Sequence, residues 1–255
     1  MRRLSSRGRF RALFGALAAS QVAYGLLPED RSRVGATRGI VGLMLATSLA
    51  EAAAARSAGR RGGPRSVLLA GALGFATELV GVATGRPFGH YSYGPGLGVQ
   101  VGRVPVAAAA AWAMMARPAW VVGGWVARTP LVRVLVAAGA LTAWDVFLDP
   151  RMVREGYWTW PGGGAYEDVP LSNFAGWFVT GAGVFAAWHV LEGSSPDAPS
   201  PDDDGALALY AWTWVGETFA SAVLWQRPRV AVAGGVAMGA FAVPALVARA
   251  RAGRS

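Results

Sequence analysis

The chain has 255 residues, is 53% hydrophobic and only 15% charged, and carries a formal net charge of +9. Soluble globular proteins hold roughly 25% charged residues, so the composition argues against one or two soluble domains. There is no cysteine and every one of the 24 basic residues is arginine, which excludes disulfides, thiolate catalysis, Cys-based metal sites, a Schiff-base lysine and a P-loop lysine.

The apolar residues come in blocks, several of which reach the roughly 20 residues that cross a bilayer as a helix. In lipid each block must satisfy its own backbone N–H and C=O groups, which demands helix. The blocks fall at roughly 10–27, 34–55, 66–84, 104–126, 131–148, 171–191, 206–225 and 229–248. The expected fold is all-α: a polytopic transmembrane bundle of about eight helices, forming a single integral membrane domain over 1–255.

Arg2, Arg3, Arg7, Arg9 and Arg11 precede the first block. A cleaved signal peptide would start the same way, but Gln21 and Tyr24 continue the block without a clear cleavage site, so an uncleaved first helix is expected. Arg2-Arg3 lacks the rest of a twin-Arg signal. Arginine bias places the N-terminus in the cytoplasm of a multi-pass cell-membrane protein. Arg56, Arg60, Arg61, Arg65, Arg128, Arg249, Arg251 and Arg254 then share that side, and the polar loops at about 85–103 and 149–170 lie outside. The positive charge is read as arginines at helix ends facing anionic lipid, not as a nucleic-acid surface. The acidic stretch Asp197 to Asp204, with Pro196, Pro199 and Pro201, reads as a flexible connector over about 193–205.

Two stretches of the chain align as an internal repeat. The first runs Glu78, Gly89, Tyr91-Ser92-Tyr93, Val104-Pro105, Trp112; the second runs Asp145, Gly156, Trp158-Thr159-Trp160, Val169-Pro170, Trp177. The acid-to-Gly, Gly-to-aromatic and Pro-to-Trp spacings are the same, and only the segment between the second aromatic and the Pro differs, by two residues. Each copy is helix–loop–helix, over about 66–126 and 131–191, and the two run in the same direction. Parallel repeats of this kind pack about an axis along the membrane normal, with a site at their interface.

Glu78 falls about six residues before a helix end, so roughly 9 Å inside the boundary, and Asp145 has the matching depth. A carboxyl group there is costly and should face the bundle interior or a wet cavity. Burial favours its neutral form, and a structural hydrogen bond between helices is the plainer alternative. Asp149 lies one turn after Asp145 and either shares its face or ends the helix before Pro150. His90, beside Tyr91 and Tyr93, could relay protons or be an interfacial loop residue. Two separate histidines without metal-ligand spacing give no metal site, and His189 reads as structural. The aromatics Tyr91, Tyr93, Tyr157, Trp158, Trp160 and Tyr166 form an interfacial belt, line a slot for a flat apolar ligand or steady a developing cation. Asn173 could hold a water or a helix contact. Arg117 falls mid-span and either pairs with an acid such as Glu217 or marks a misplaced boundary; Glu51, near a helix end, is expected to be solvated. No GxGxxG follows a strand, and no GxSxG occurs.

These residues resemble a known family. Glu78-Leu79-Val80-Gly81, Thr84 through Tyr93, Val104-Pro105 and Trp112, with Asp145, Asp149-Pro150, Gly156 through Trp160 and Val169 through Trp177, are similar to the membrane carotenoid hydratases of carotenoid biosynthesis. That group includes bisanhydrobacterioruberin hydratases and carotenoid 1,2-hydratase-like proteins. The resemblance spans about residues 66–180; Arg117, where a neutral residue is expected, departs from it. It implies a hydro-lyase that adds water across the terminal C=C of an acyclic C40 or C50 carotenoid, giving a tertiary hydroxyl without a cofactor. Asp145 or Glu78 would supply the acid, and the other of the two, or Asp149, the base. His90, Tyr91, Tyr93, Trp158, Trp160, Asn173 and Trp177 would surround the substrate. The implied partners are carotenoid, water and the bilayer, with room for association with other enzymes of the pathway. A membrane carotenoid cyclase, and a transporter or carotenoid-binding protein, are the alternative readings.

Overall fold

The computed structural model describes residues 5–27, 31–193 and 197–254. Arg2, Arg3 and Pro196 lie outside them. Among the described residues there are eight α-helices: α1 Ser6–Gly25, α2 Arg31–Ser57, α3 Pro64–Thr84, α4 Val106–Val126, α5 Pro130–Arg154, α6 Leu171–Glu192, α7 Asp204–Phe219 and α8 Pro228–Ala252. They match the apolar blocks of the sequence. Six of them, α2 to α6 and α8, are long and apolar enough to cross a membrane. The protein is therefore an all-α polytopic membrane bundle. α1 carries Arg7, Arg9 and Arg11 in its first two turns, and α7 has only 16 residues before a π-helical turn, Ala220–Leu224, prolongs it.

Four two-residue strands lie in the long loops: β1 Ser92–Tyr93, β2 Gln100–Val101, β3 Val104–Pro105 and β4 Trp158–Thr159. β1 pairs antiparallel with β4, Ser92 opposite Thr159 and Tyr93 opposite Trp158. The pairing joins the two copies of the repeat at equivalent positions, which is the signature of a local two-fold axis. A second point near that axis lies deeper, where the equivalent residues Trp112 of α4 and Trp177 of α6 stack at 4.0 Å with an interplanar angle of 12°. The equivalent loop glycines also share a backbone state: Gly89 has φ +88° and Gly156 φ +72°, a conformation that glycine adopts without a Cβ penalty.

Proline inside a membrane helix frees the carbonyl one turn back. At Pro150 that carbonyl belongs to Val146, and the Tyr166 hydroxyl of the following loop donates to it at 3.1 Å. α5 therefore runs on through Pro150 to Arg154, and Asp149 is a helical residue.

The end of the bundle opposite the repeat loops is held by ion pairs. Arg117, mid-way along α4 and 2% exposed, binds Glu51 of α2, and its Nη2 reaches Asp203 at 2.9 Å. Arg60 Nη2 meets the other oxygen of Asp203 at 2.6 Å. This corrects two expectations. Arg117 does not pair with Glu217, whose Oε1 is held by Arg151 at 2.8 Å, and Glu51 is buried, not solvated. It corrects a third in part: from Asp197 onward the acidic connector is tied to the bundle, since Asp197 accepts from the Arg61 backbone N–H at 2.6 Å and Asp202 pairs with Arg7.

Candidate active site

Glu78 lies on α3, six residues before its last residue, and is 4% exposed. Its carboxylate accepts three donors. Oε2 takes the Tyr91 hydroxyl and the Tyr93 hydroxyl, the latter at 2.8 Å; Oε1 takes the Trp112 indole N–H at 3.0 Å. Three of roughly four lone-pair positions are used, and the free one is on Oε1. One turn before Glu78, Gly74 makes the indole contact feasible: a Cβ there would lie 2.1 Å from Trp112 Cγ. Burial and the nearby Glu78 carboxylate raise the pKa of both Tyr91 and Tyr93, so the phenols stay neutral donors.

The second copy is built differently. Asp145 and Asp149 are one turn apart on α5, 0% and 2% exposed. The Asn173 amide of α6 bridges them, donating to Asp145 Oδ2 at 3.0 Å and to Asp149 Oδ2. Trp158 Nε1 donates to Asp149 Oδ1 at 3.1 Å. Asp145 Oδ1 has no hydrogen-bond partner. By the repeat alignment, Asp149 stands where the first copy has Val82, and Asn173 where it has Ala108. The first copy thus holds one carboxylate met by three neutral donors; the second holds two carboxyl groups and a carboxamide.

Aromatic rings connect the halves. Tyr91 stacks on Trp160 at 5.6 Å, and Tyr93 meets Trp158 edge-on at 5.6 Å, again equivalent pairs across the two-fold. The Trp160 indole N–H donates to the Phe88 carbonyl at 3.0 Å. Beside this cluster lies a cavity of about 330 Å³, lined mainly by apolar side chains such as Ile40, Met44, Leu97, Trp144 and Leu148. Glu78, Asp149, Tyr91, Tyr93, Trp158, Trp160, Asn173 and Trp177 all border it. Asp145 does not; it lies fully buried, joined to Asp149 through Asn173.

Of the ten residues singled out in the sequence, nine thus belong to one cluster. His90 is the exception: it is exposed and does not border the cavity. Side chains alternate along an extended segment, so the faces that take Tyr91 and Tyr93 inward turn His90 and Ser92 away. Trp112 is a site residue that the sequence reading left out of the site, although its fixed spacing to Pro105, repeated at Trp177, was the available signal. No group of three or more His, Cys, Asp or Glu among the described residues could hold a metal ion.

Two buried carboxyl sites thus lie beside an apolar, aromatic-lined cavity of a membrane bundle. The chain belongs to the carotenoid biosynthesis protein family, whose model matches residues 38–242. Bisanhydrobacterioruberin hydratase of Haloarcula japonica is 33% identical over 113 residues, a stretch covering 42% of this chain and 38% of that protein. The chain therefore spans well under half the length of the curated relative it matches. No solved structure matches the chain.

Proposed function

We propose that the protein is an enzyme that adds water to the terminal double bond of an acyclic carotenoid, giving a tertiary alcohol. The observation that carries this reading is that two differently furnished carboxyl sites, Glu78 and Asp149, border one apolar cavity. The name of the Haloarcula japonica relative agrees with it.

Hydration of an alkene needs a proton donor, a means to tolerate a cation and a base for water. Two carboxyl groups with different surroundings suit the two proton roles. Asp149, coupled to Asp145 through Asn173, is the acid: like charges held one turn apart in a buried site favour a pair that shares one proton. Asp149 borders the cavity and delivers that proton to the less substituted carbon of the terminal C=C. The electron pair of the C=C forms the new C–H bond and leaves a tertiary carbocation. The faces of Tyr91, Tyr93, Trp158 and Trp160 can steady that charge. Water then attacks the cation, and Glu78, through the free position on Oε1, takes a proton from it. The sum is alkene plus water to alcohol. Return of the proton from Glu78 to the aspartate pair restores the starting state, and no electron is transferred.

The protein would work as a multi-pass protein of the cell membrane, its arginine-rich helix ends and N-terminus facing the cytoplasm. The test is mass spectrometry of carotenoids from cells that make lycopene or an acyclic C50 carotenoid, with and without this chain. A gain of one water, lost in Asp149→Asn and Asp145→Asn, is the expected result. An isomer of unchanged mass carrying a ring would show a cyclase instead. Unchanged pigment retained on the purified protein would show a carrier.

A further inference from the structure

Part of the cavity wall is also outer surface. Val22 of α1 and Val215 and Phe219 of α7 border the cavity, yet they are 56%, 57% and 55% exposed. On α7 the two belong to an exposed stripe with Ala208, continued by Ala222 in the π-helical turn and spaced as one face of a helix. In a membrane bundle such a face meets lipid. The cavity that holds Glu78 and Asp149 at its polar wall therefore reaches the bilayer between α1 and α7.

Little closes that gap. Trp212 Nε1 donates to Gln21 Oε1 at 2.7 Å, and both residues border the cavity. Elsewhere Leu224, in the π-helical turn, abuts Gly25 so closely that a Cβ there would lie 2.6 Å from Leu224 Cδ1. Between these two contacts the rim is Val22, Val215, Gly216 and Phe219. π-helical turns are rare and concentrate at functional sites. The cavity volume, about 330 Å³, is at the low end of those that enclose a drug-sized ligand. It suits one end of a long polyene, and the rest needs a way out.

We propose that the slot between α1 and α7 is a lateral portal and binding groove for the hydrocarbon stem of a linear polyene whose end group lies between Glu78 and Asp149. The polyene enters from the bilayer through the slot, past the Gln21–Trp212 hydrogen bond, and its stem remains there while the end reacts. This rests on the carotenoid reading of the site, but not on its chemistry.

The chain has no cysteine, so thiols can be placed without background. Gln21→Cys with Trp212→Cys, bridged by a short bis-methanethiosulfonate, ties α1 to α7. Lycopene in detergent is offered to the purified protein, and the colour retained after gel filtration is read. Bridging should lower uptake by about tenfold or more relative to each single-cysteine variant treated alike, and reductant should restore it. Val22→Trp, which leaves Gln21 and Trp212 in place, should obstruct the slot and slow uptake on the same scale. Normal uptake by the bridged protein and by Val22→Trp overturns the portal. Uptake that is blocked by the bridge in a chain that hydrates neither lycopene nor an acyclic C50 carotenoid sinks the hydratase reading and leaves the portal standing. A wild-type chain that takes up neither lycopene nor a C50 acyclic carotenoid overturns both.

Discussion

The bundle buries carboxylates at both of its ends, and two pairs of them are furnished in opposite ways. At the end away from the repeat loops, Glu51 and Asp203 are met by the guanidinium groups of Arg117 and Arg60. At the loop end, Glu78 and Asp149 are met by phenols, indoles and a carboxamide. A carboxylate facing a permanent cation has its charge fixed, since arginine does not give up its proton in proteins. Neutral donors leave a carboxyl group free to gain or lose one. The first arrangement ties helices together; the second can move protons. Glu78 and Asp149 border the cavity.

Exchanging one member at each end separates the two kinds of acid. Glu78→Gln and Asp149→Asn keep size and should lower hydration by about 10²–10⁴-fold, the usual weight of a positioned acid or base, while the thermal unfolding of the purified protein stays near wild type. Arg117→Leu should do the reverse. It leaves Glu51 and Asp203 buried beside a lost cation, which typically costs about 3–5 kcal/mol, and unfolding in detergent should register it. The folded fraction should still hydrate at the wild-type rate. If Glu78→Gln proved the more destabilising and Arg117→Leu the more inactivating, the contrast would be wrong.

Within the loop end, the carboxamide ranks next. Asn173→Ala removes the bridge between Asp145 and Asp149, and leaving buried carboxyl oxygens without a donor costs about 1–3 kcal/mol. A loss in hydration rate of that size, larger than the loss in stability, would support a shared proton. Equal losses would make the bridge merely structural. Tyr93→Phe deletes one of three donors to Glu78 and should cost about 1.5 kcal/mol or slightly more, read as a reduced rate with carotenoid uptake unchanged.

The sequence carries the loop end far better than the other. Apolar block length places the helices, and the repeat brings Glu78, Asp145 and the aromatic pairs to notice because both copies keep the same spacing. What the repeat alone does not say is that equivalent residues touch; that follows from the two-fold, which puts Ser92 opposite Thr159 and Trp112 on Trp177. His90 is misleading because it is adjacent to Tyr91 in the chain but on the other face of an extended segment. Arg117 is misleading for another reason. Its partners, Glu51 and Asp203, lie far away along the chain on α2 and just before α7, and nothing periodic links them. Long-range ion pairs between helices leave no local signature, whereas a duplicated motif does.

The smallest expected effect concerns how the second half of the site keeps its shape through Pro150. The Tyr166 hydroxyl donates to the Val146 carbonyl that Pro150 leaves free. Burial raises the pKa of Tyr166 from 10.0 to about 12, because the phenol holds its proton where ionisation would place charge against apolar surroundings. Above about pH 10 the unfolded chain loses this proton while the folded chain keeps it, so the unfolded state binds fewer protons and stability falls as pH rises. The contribution is whole below pH 10 and is gone once the pH passes about 12. Tyr166→Phe should cost about 1 kcal/mol at neutral pH and should remove this component of the alkaline decline. Parallel unfolding series for the two proteins across that window check it. Curves that stay parallel would mean that Tyr166 does not titrate with folding, and that Asp149 is held in place by α6 and Trp158 without help from Tyr166.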